Sequence, residues 1–314
     1  MKLRVSGSLG HPLFYGTLSV QGTDLGYGDL PFRLTGLKGE IALEADRATV
    51  RSLRGLSGGG AVTLAGFLTL ADSPRFNLRI ELSQVRVRYP TEFTSALDGT
   101  LSLIGTAERG QVGGELTVRQ MFTGQDFNWL ARLGEAGGSV GTRPPAIASP
   151  LASNIRLNVQ VVSAPAVRIE TRDLHLVADL DLRIQGTLAT PVEVGTIHIL
   201  SGEAVFRGNR YQLNRGDISM TNPFRTQAVV DLEAQTRVQR YDLTLDVSGP
   251  LDRVKVSYRS DPPLPTVDII SLLAFGYARQ QEEMATTAAQ PVPTVGASAL
   301  LSEALSTQVS GRIQ

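Results

Sequence analysis

The chain has 314 residues, 42% of them hydrophobic and only 6% aromatic, with 30 Lys and Arg against 30 Asp and Glu and no cysteine. The balanced charge argues against nucleic acid, whose phosphates call for a clustered basic surface. The missing cysteine excludes disulfide scaffolds, thiol catalysis and cysteine-ligated zinc, and no run of about 18 apolar residues is present to cross a membrane as a helix.

Met1 leads straight into alternating residues without an apolar signal core, so any secretion signal is expected outside this chain. Alternation of apolar and polar residues with a period of two marks half-buried strands. It runs through 3–9, 41–53, 62–70, 76–89 and 101–104. Residues 125–134, around Trp129, predict a short helix, and 135–150 read as a loop. Alternation resumes at 155–161 and 167–171 and is clearest at 174–185. There Leu174, Leu176, Ala178, Leu180, Leu182 and Ile184 point one way, and His175, Asp179, Asp181, Arg183 and Gln185 the other. It continues through 197–206, which carries Ile197 and Ile199, and through 211–220. Val230, Leu232, Ala234 and Val238 then oppose Asp231, Glu233, Gln235, Arg237 and Gln239. Tyr241, Leu243, Leu245 and Val247 follow, and then Val254, Val256 and Tyr258 against Arg253, Lys255 and Arg259. A second helix is predicted at 266–278 after Pro262-Pro263-Leu264-Pro265, with Thr266 as N-cap and Asp268 in the first turn. Arg279–Gly296 reads as a flexible linker, and 297–309 as a helix with Leu300, Leu301, Ala304 and Leu305 on one face.

The connections are short and rich in Gly, Pro, Asp and Asn, and the spacing of βαβ units is missing, which favours an antiparallel meander. One connection recurs. Gly7-Ser8-Leu9 leads through Pro12 to Gly16-Thr17-Leu18, and Gly186-Thr187-Leu188 leads through Pro191 to Gly195-Thr196-Ile197. Gly105-Thr106 leads to Gly114-Glu115-Leu116 in the same frame. The intervals are unequal, so this is a repeated strand–turn–strand unit and not a tight solenoid.

No catalytic constellation emerges. His11, His175 and His198 stand without a second ligand at strand or helix spacing. Asp179 and Asp181 share a face, as do Asp242 and Asp246, but they alternate with Arg and Thr as a solvated face would. Gly58-Gly59-Gly60 lacks the Lys and the helix of a phosphate cradle. Arg207, Arg210 and Arg215 flank a turn and read as surface charge. No cofactor, no metal and no enzymatic activity are expected. The amphipathic strands must still hide their apolar side, either in a closed sandwich or barrel or in a trough with a greasy inner wall.

The second half resembles the C-terminal domain of the TamB family, within the AsmA-like superfamily. The likeness runs from about Leu151 to Tyr277. It is carried by LDLRIQGTLATPVEVGTIHILSGEAVFRGNRYQLNRGDISM (180–220), by Asn222-Pro223-Phe224 and by YDLTLDVSGPLDRVKVSYRSDPPLPTVDIISLLAFG (241–276). Its most specific element is the turn Ser260–Pro265 feeding an apolar helix. Residues 1–150 are similar to the wider superfamily only. The resemblance implies an all-β, elongated, mostly antiparallel sheet folded into a U-shaped trough, a β-taco, with a hydrophobic interior. It implies three parts, a β-groove segment at 1–150, the C-terminal-domain groove with its terminal helix at 151–278, and a linker with an amphipathic helix at 279–314. It further implies a periplasmic protein held at the inner membrane by an anchor outside this chain. Such a protein moves phospholipid to the outer membrane, or assembles and secretes proteins there with an Omp85-type barrel, TamA- or BamA-like.

On that reading acyl chains lie against Leu174, Leu176, Leu180, Leu182, Ile184, Ile197, Ile199, Leu232, Leu243, Leu245, Val247, Val254 and Val256. A continuous apolar path is all that transfer then needs, since each CH₂ exposed to water costs about 0.8 kcal/mol. The competing expectations are a closed β-sandwich or β-helix adhesin without lipid transfer, a transmembrane β-barrel, and a carbohydrate-active β-helix enzyme. The barrel lacks its aromatic girdles, and the enzyme its converging carboxylates.

Overall fold

A computed structural model describes residues 2–8, 11–25, 33–69, 74–88, 93–106, 108–123, 150–206, 208–251 and 253–276. The helices expected at 125–134 and 297–309, the loop at 135–149 and the linker from Arg279 lie outside the described residues.

The first eight strands are β1 (Lys2–Ser8), β2 (His11–Leu25), β3 (Leu34–Ala45), β4 (Arg47–Ser57), β5 (Gly60–Thr69), β6 (Arg75–Arg88), β7 (Phe93–Thr106) and β8 (Gly110–Thr123). A one-turn helix α1 (Pro150–Asn154) leads into β9 (Ile155–Ser163), β10 (Val167–Glu170), β11 (Leu174–Gly186) and β12 (Pro191–Phe206). β13 (Asn209–Met220), β14 (Ala228–Val238), β15 (Tyr241–Pro250), β16 (Lys255–Asp261) and α2 (Thr266–Phe275) complete the described residues.

All sixteen strands belong to one sheet, which follows sequence order from β1 to β16, with β10 continuing the line of β9 beside β11. The path does not close on itself: among the described residues β1 and β16 are its two edges. A closed sandwich or β-helix is therefore not the architecture. The fold is an elongated, all-β trough. Fifteen strands on the path at about 4.8 Å each give a long axis of roughly 70 Å along the stacking direction.

Every pairing is antiparallel except one. β8 and β9 run parallel, Gly110 beside Ile155 through Val118 beside Ser163, and this seam joins two antiparallel halves. The seam leaves the faces in phase. One register row runs Val20, Gly39, Leu53, Leu64, Ile80, Leu101, Gly114, Val159, Ile184 from β2 to β11 without a polar side chain.

The repeated strand–turn–strand unit is a repeated hairpin, forming β1–β2, β7–β8 and β11–β12. Its second glycine sits inside a strand, not in the turn. Gly114 and Gly195 adopt φ of 139° and 136°, and a Cβ on either would lie 2.1 or 2.2 Å from the carbonyl oxygen of Thr100 or Asp181 on the strand beside it. Only glycine permits that approach, and glycine kinks of this kind are where a sheet bends. Bulges add to the bend. Leu200 is the extra residue where β12 passes Val177 and Ala178, and Asn214 the extra residue where β13 passes Ala234 and Glu233. The register rows run across the strands, along the stacking direction of the sheet.

Candidate functional site

The inner wall is built from rows of directly opposed side chains. Leu180 faces Ile197, which faces Ile218 and then Val230. The next row carries Ala178, Ile199, Gly216, Leu232, Val247 and Val256, and the one below it Leu176, Gly202, Leu213, Ala234, Leu245 and Tyr258. Twelve of the thirteen residues expected on the wall come together in this way: Leu174 adjoins Ala204, Leu182 adjoins Val161 and Gly195, Ile184 adjoins Val159, and Leu243 adjoins Thr236. Leu180 is 8% exposed and Leu243 1%, while Leu174 and Ile199 are also buried. Leu176, Leu182, Ile184, Ile197, Leu232, Leu245 and Val247 are half-buried, as a wall facing open space would be. Val256 is 40% exposed, because it sits on the edge strand with a neighbour on one side only. Val254 precedes β16 and joins no row.

The outer face is polar and largely solvated. Glu233 lies 3.7 Å from Arg215 and 4.0 Å from Arg259, which in turn reaches Asp246 at 3.1 Å. Asp179 accepts a hydrogen bond from the Ser163 hydroxyl. His198 is exposed and meets Asp217 at 2.7 Å. His175 is exposed on the same face, and the His11 side chain lies outside the described residues. Such exposed pairs hold little energy. No group of three or more metal-ligating side chains occurs among the described residues.

The wall extends into the first half, which sequence reasoning did not include among the site residues. Leu37, Val50 and Leu53 are buried there, with Val20, Leu34, Ile41 and Leu64 against them. The signal was present in the alternation at 41–53 and 62–70. The turn at Asp46 and an extra residue near Arg51 break its phase.

At the far end the wall is covered. α2 lays Ile269 and Leu272 on Val238, Tyr241 and Leu243, with Leu245, Tyr258 and Leu264 around them. Leu273 reaches the neighbouring cluster of Leu174, Ala204, Tyr211 and Ala234. The helix begins at Thr266 itself, with Pro265 in the cap position and no side-chain cap, so Thr266 is not the N-cap the sequence suggested. Burial in this pocket pushes the Tyr258 phenol above its ordinary value.

With the open sheet, its apolar inner wall and the proline-led helix in view, the sequence itself matches the family model of the TamB C-terminal domain over residues 51–314. The chain belongs to the TamB C-terminal domain family. The match takes in most of β4 and all of β5–β8 as well as the half in which the sequence resemblance was strongest. No curated protein matches the chain. Membership gives the chain an envelope-associated role within a family of non-enzymatic transport and assembly modules, associated with the machinery that builds the outer membrane. No helix among the described residues is long and apolar enough to cross a membrane.

Proposed function

We propose that this protein is a periplasmic conduit, held at the inner membrane by an anchor outside this chain, whose trough carries phospholipid acyl chains toward the outer membrane. The same trough would serve outer-membrane protein assembly and secretion beside an Omp85-type barrel, TamA- or BamA-like. The observation that carries the reading is the apolar row from Val20 to Ile184, which passes nine strands and the parallel seam without meeting a charge. An alkyl chain moving along such a wall stays out of water at each step, and no covalent chemistry is needed. The twelve residues from Leu174 to Val256 that join the rows are the acyl contacts, with Val254 just beyond them, and headgroups ride at the open edge of the trough. The seam at β8–β9 divides the conduit into a segment at 1–150 and a C-terminal groove at 151–278, with 279–314 as a linker and amphipathic helix.

The test is mass spectrometry of organic extracts from purified protein. Phospholipid at a fixed ratio to protein supports the conduit. Protein that is folded, lipid-free and unable to take up lipid from vesicles overturns it.

A further inference from the structure

We infer that α2 is a displaceable occupant of the last stretch of the groove, seated where an ester-linked acyl chain would otherwise lie. This inference rests on the conduit reading and adds to it a closed end that has to open.

The inner wall is half-buried over most of its length but sealed at this end. Ile269 is 1% exposed and Leu272 0%, among the deepest side chains in the described residues, and the wall beneath them is the same face that lies open on earlier strands. What holds the helix is almost wholly that wall. It has ten residues, no side-chain cap at its start and no basic residue in its last turn, whereas isolated helices shorter than about 12–15 residues are marginal in water. Two side chains from the sheet's hairpins, Asn209 and Gln239, donate to the terminal carbonyls of Leu273 and Gly276 and so latch its C-terminal end. Leaving the wall would therefore release those two hydrogen bonds and the helix's own order together.

A polar detail points to the competing ligand. Thr236 lies beside Leu243 on the inner face and is buried, and its hydroxyl has no hydrogen-bond partner among the described residues. An unsatisfied buried hydroxyl is costly. Ile269 and Leu272 offer it no acceptor, and the buried Asp268 carboxylate on the same helix does not bond it, but the ester carbonyl of a glycerolipid would supply an acceptor. The seat is thus better matched to an ester-bearing chain than to the helix now in it.

The test uses the full chain and phosphatidylethanolamine with a photoreactive diazirine in its acyl chain, presented in phosphatidylethanolamine–phosphatidylglycerol vesicles. Because the native chain has no cysteine, Gln239→Cys with Gly276→Cys can be bridged by a reducible bis-thiol cross-linker that locks α2. Gly276 has open space where a side chain would go. Ile269→Ser with Leu272→Ser releases the helix, and a melting curve accompanies each protein. Labelled peptides should fall on β11–β12 in every form. Labelling of β15 should be near absent in the locked protein, return on reduction and rise several-fold in the released one. Equal β15 labelling in locked and reduced protein, or none in a folded released variant, overturns the inference while leaving the conduit standing. Labelling nowhere overturns both.

Discussion

Asp98 on β7 accepts a hydrogen bond from the Arg119 guanidinium on β8 at 2.8 Å and, with its other oxygen, one from the backbone N–H of Gln84 on β6 at 2.7 Å. Gln84 lies in the bulge between Leu82 and Val85, at φ of 51°, where the ladder offers its N–H no partner. Arg119 also reaches the carbonyl of Ala164, 2.8 Å away, at the break between β9 and β10. One carboxylate and one guanidinium thus tie three strands and the parallel seam at the points where the sheet bends.

The backbone N–H of Gln84, and after it Arg119, hold the Asp98 carboxyl below the ordinary carboxylate value. A depressed pKa stabilises the fold above the unfolded value, near pH 4, and that contribution is lost as the pH falls through the lower folded value. Asp98→Asn should lower stability at neutral pH by about 1 kcal/mol and flatten its dependence on pH below about 4. Urea titrations from pH 7 to pH 3 measure both. Equal slopes for the two proteins would remove Asp98 from the account.

Gly195→Val should be far more damaging than its conservative look implies. The new Cβ meets the Asp181 carbonyl at 2.2 Å with φ at 136°, so both contact and backbone oppose it. A loss of about 3 kcal/mol or more is expected. Gly22→Ala, at φ of 70° with nothing within 4 Å, tests backbone strain alone and should cost about 1 kcal/mol. Chemical denaturation separates the two.

Much of this was legible in the sequence, and the exceptions share a cause. The period of two at 174–185 and 230–247 gave the faces of β11, β14 and β15, because one misplaced residue would have put every leucine in water. Leu200, Asn214 and Gln84 each add a residue to one strand of a pair, which shifts the phase and makes a good strand look weak. Gly114 and Gly195 read as turn glycines, since nothing local separates a strand kink from a turn. The parallel seam was hidden because it depends on how the chain returns from Thr123 to Pro150, over residues without periodicity. The proline run before α2 was plain, but Thr266 read as a cap because Ser and Thr before an apolar run commonly are.

Leu182→Arg should leave the protein folded and largely empty of lipid. Leu182 is half-buried on the wall, flanked by Val161 and Gly195, so the substitution places an unpaired charge on the acyl path at a stability cost of about 1–3 kcal/mol. Arg183→Ala, on the exposed face, should change neither property. Bound phospholipid per protein, read beside a melting temperature, decides it. A folded Leu182→Arg protein with full lipid occupancy would refute the acyl path.

Tyr258 packs under α2 beside Leu245, and desolvation raises its phenol. A raised pKa stabilises the fold below the unfolded value, near pH 10, and the benefit disappears as the pH climbs through the higher folded value. Tyr258→Phe should therefore lose less stability than the native protein as the pH rises above about 10. Ultraviolet absorbance of tyrosinate during the titration should show one phenol ionising late, and that signal should be missing in the variant.

Because each added hairpin returns the chain in its original direction, a sheet of this kind changes length in increments of two strands, about 10 Å. Gene duplication of one unit such as β11–β12 would insert that increment while leaving the neighbouring strands facing compatible partners. The same glycine-bearing hairpin recurs at Gly7–Gly16, Gly105–Gly114 and Gly186–Gly195, the kind of unit that such growth would repeat. The length of such a sheet is graduated in hairpins, and it changes with their count and not with any redesign of its wall.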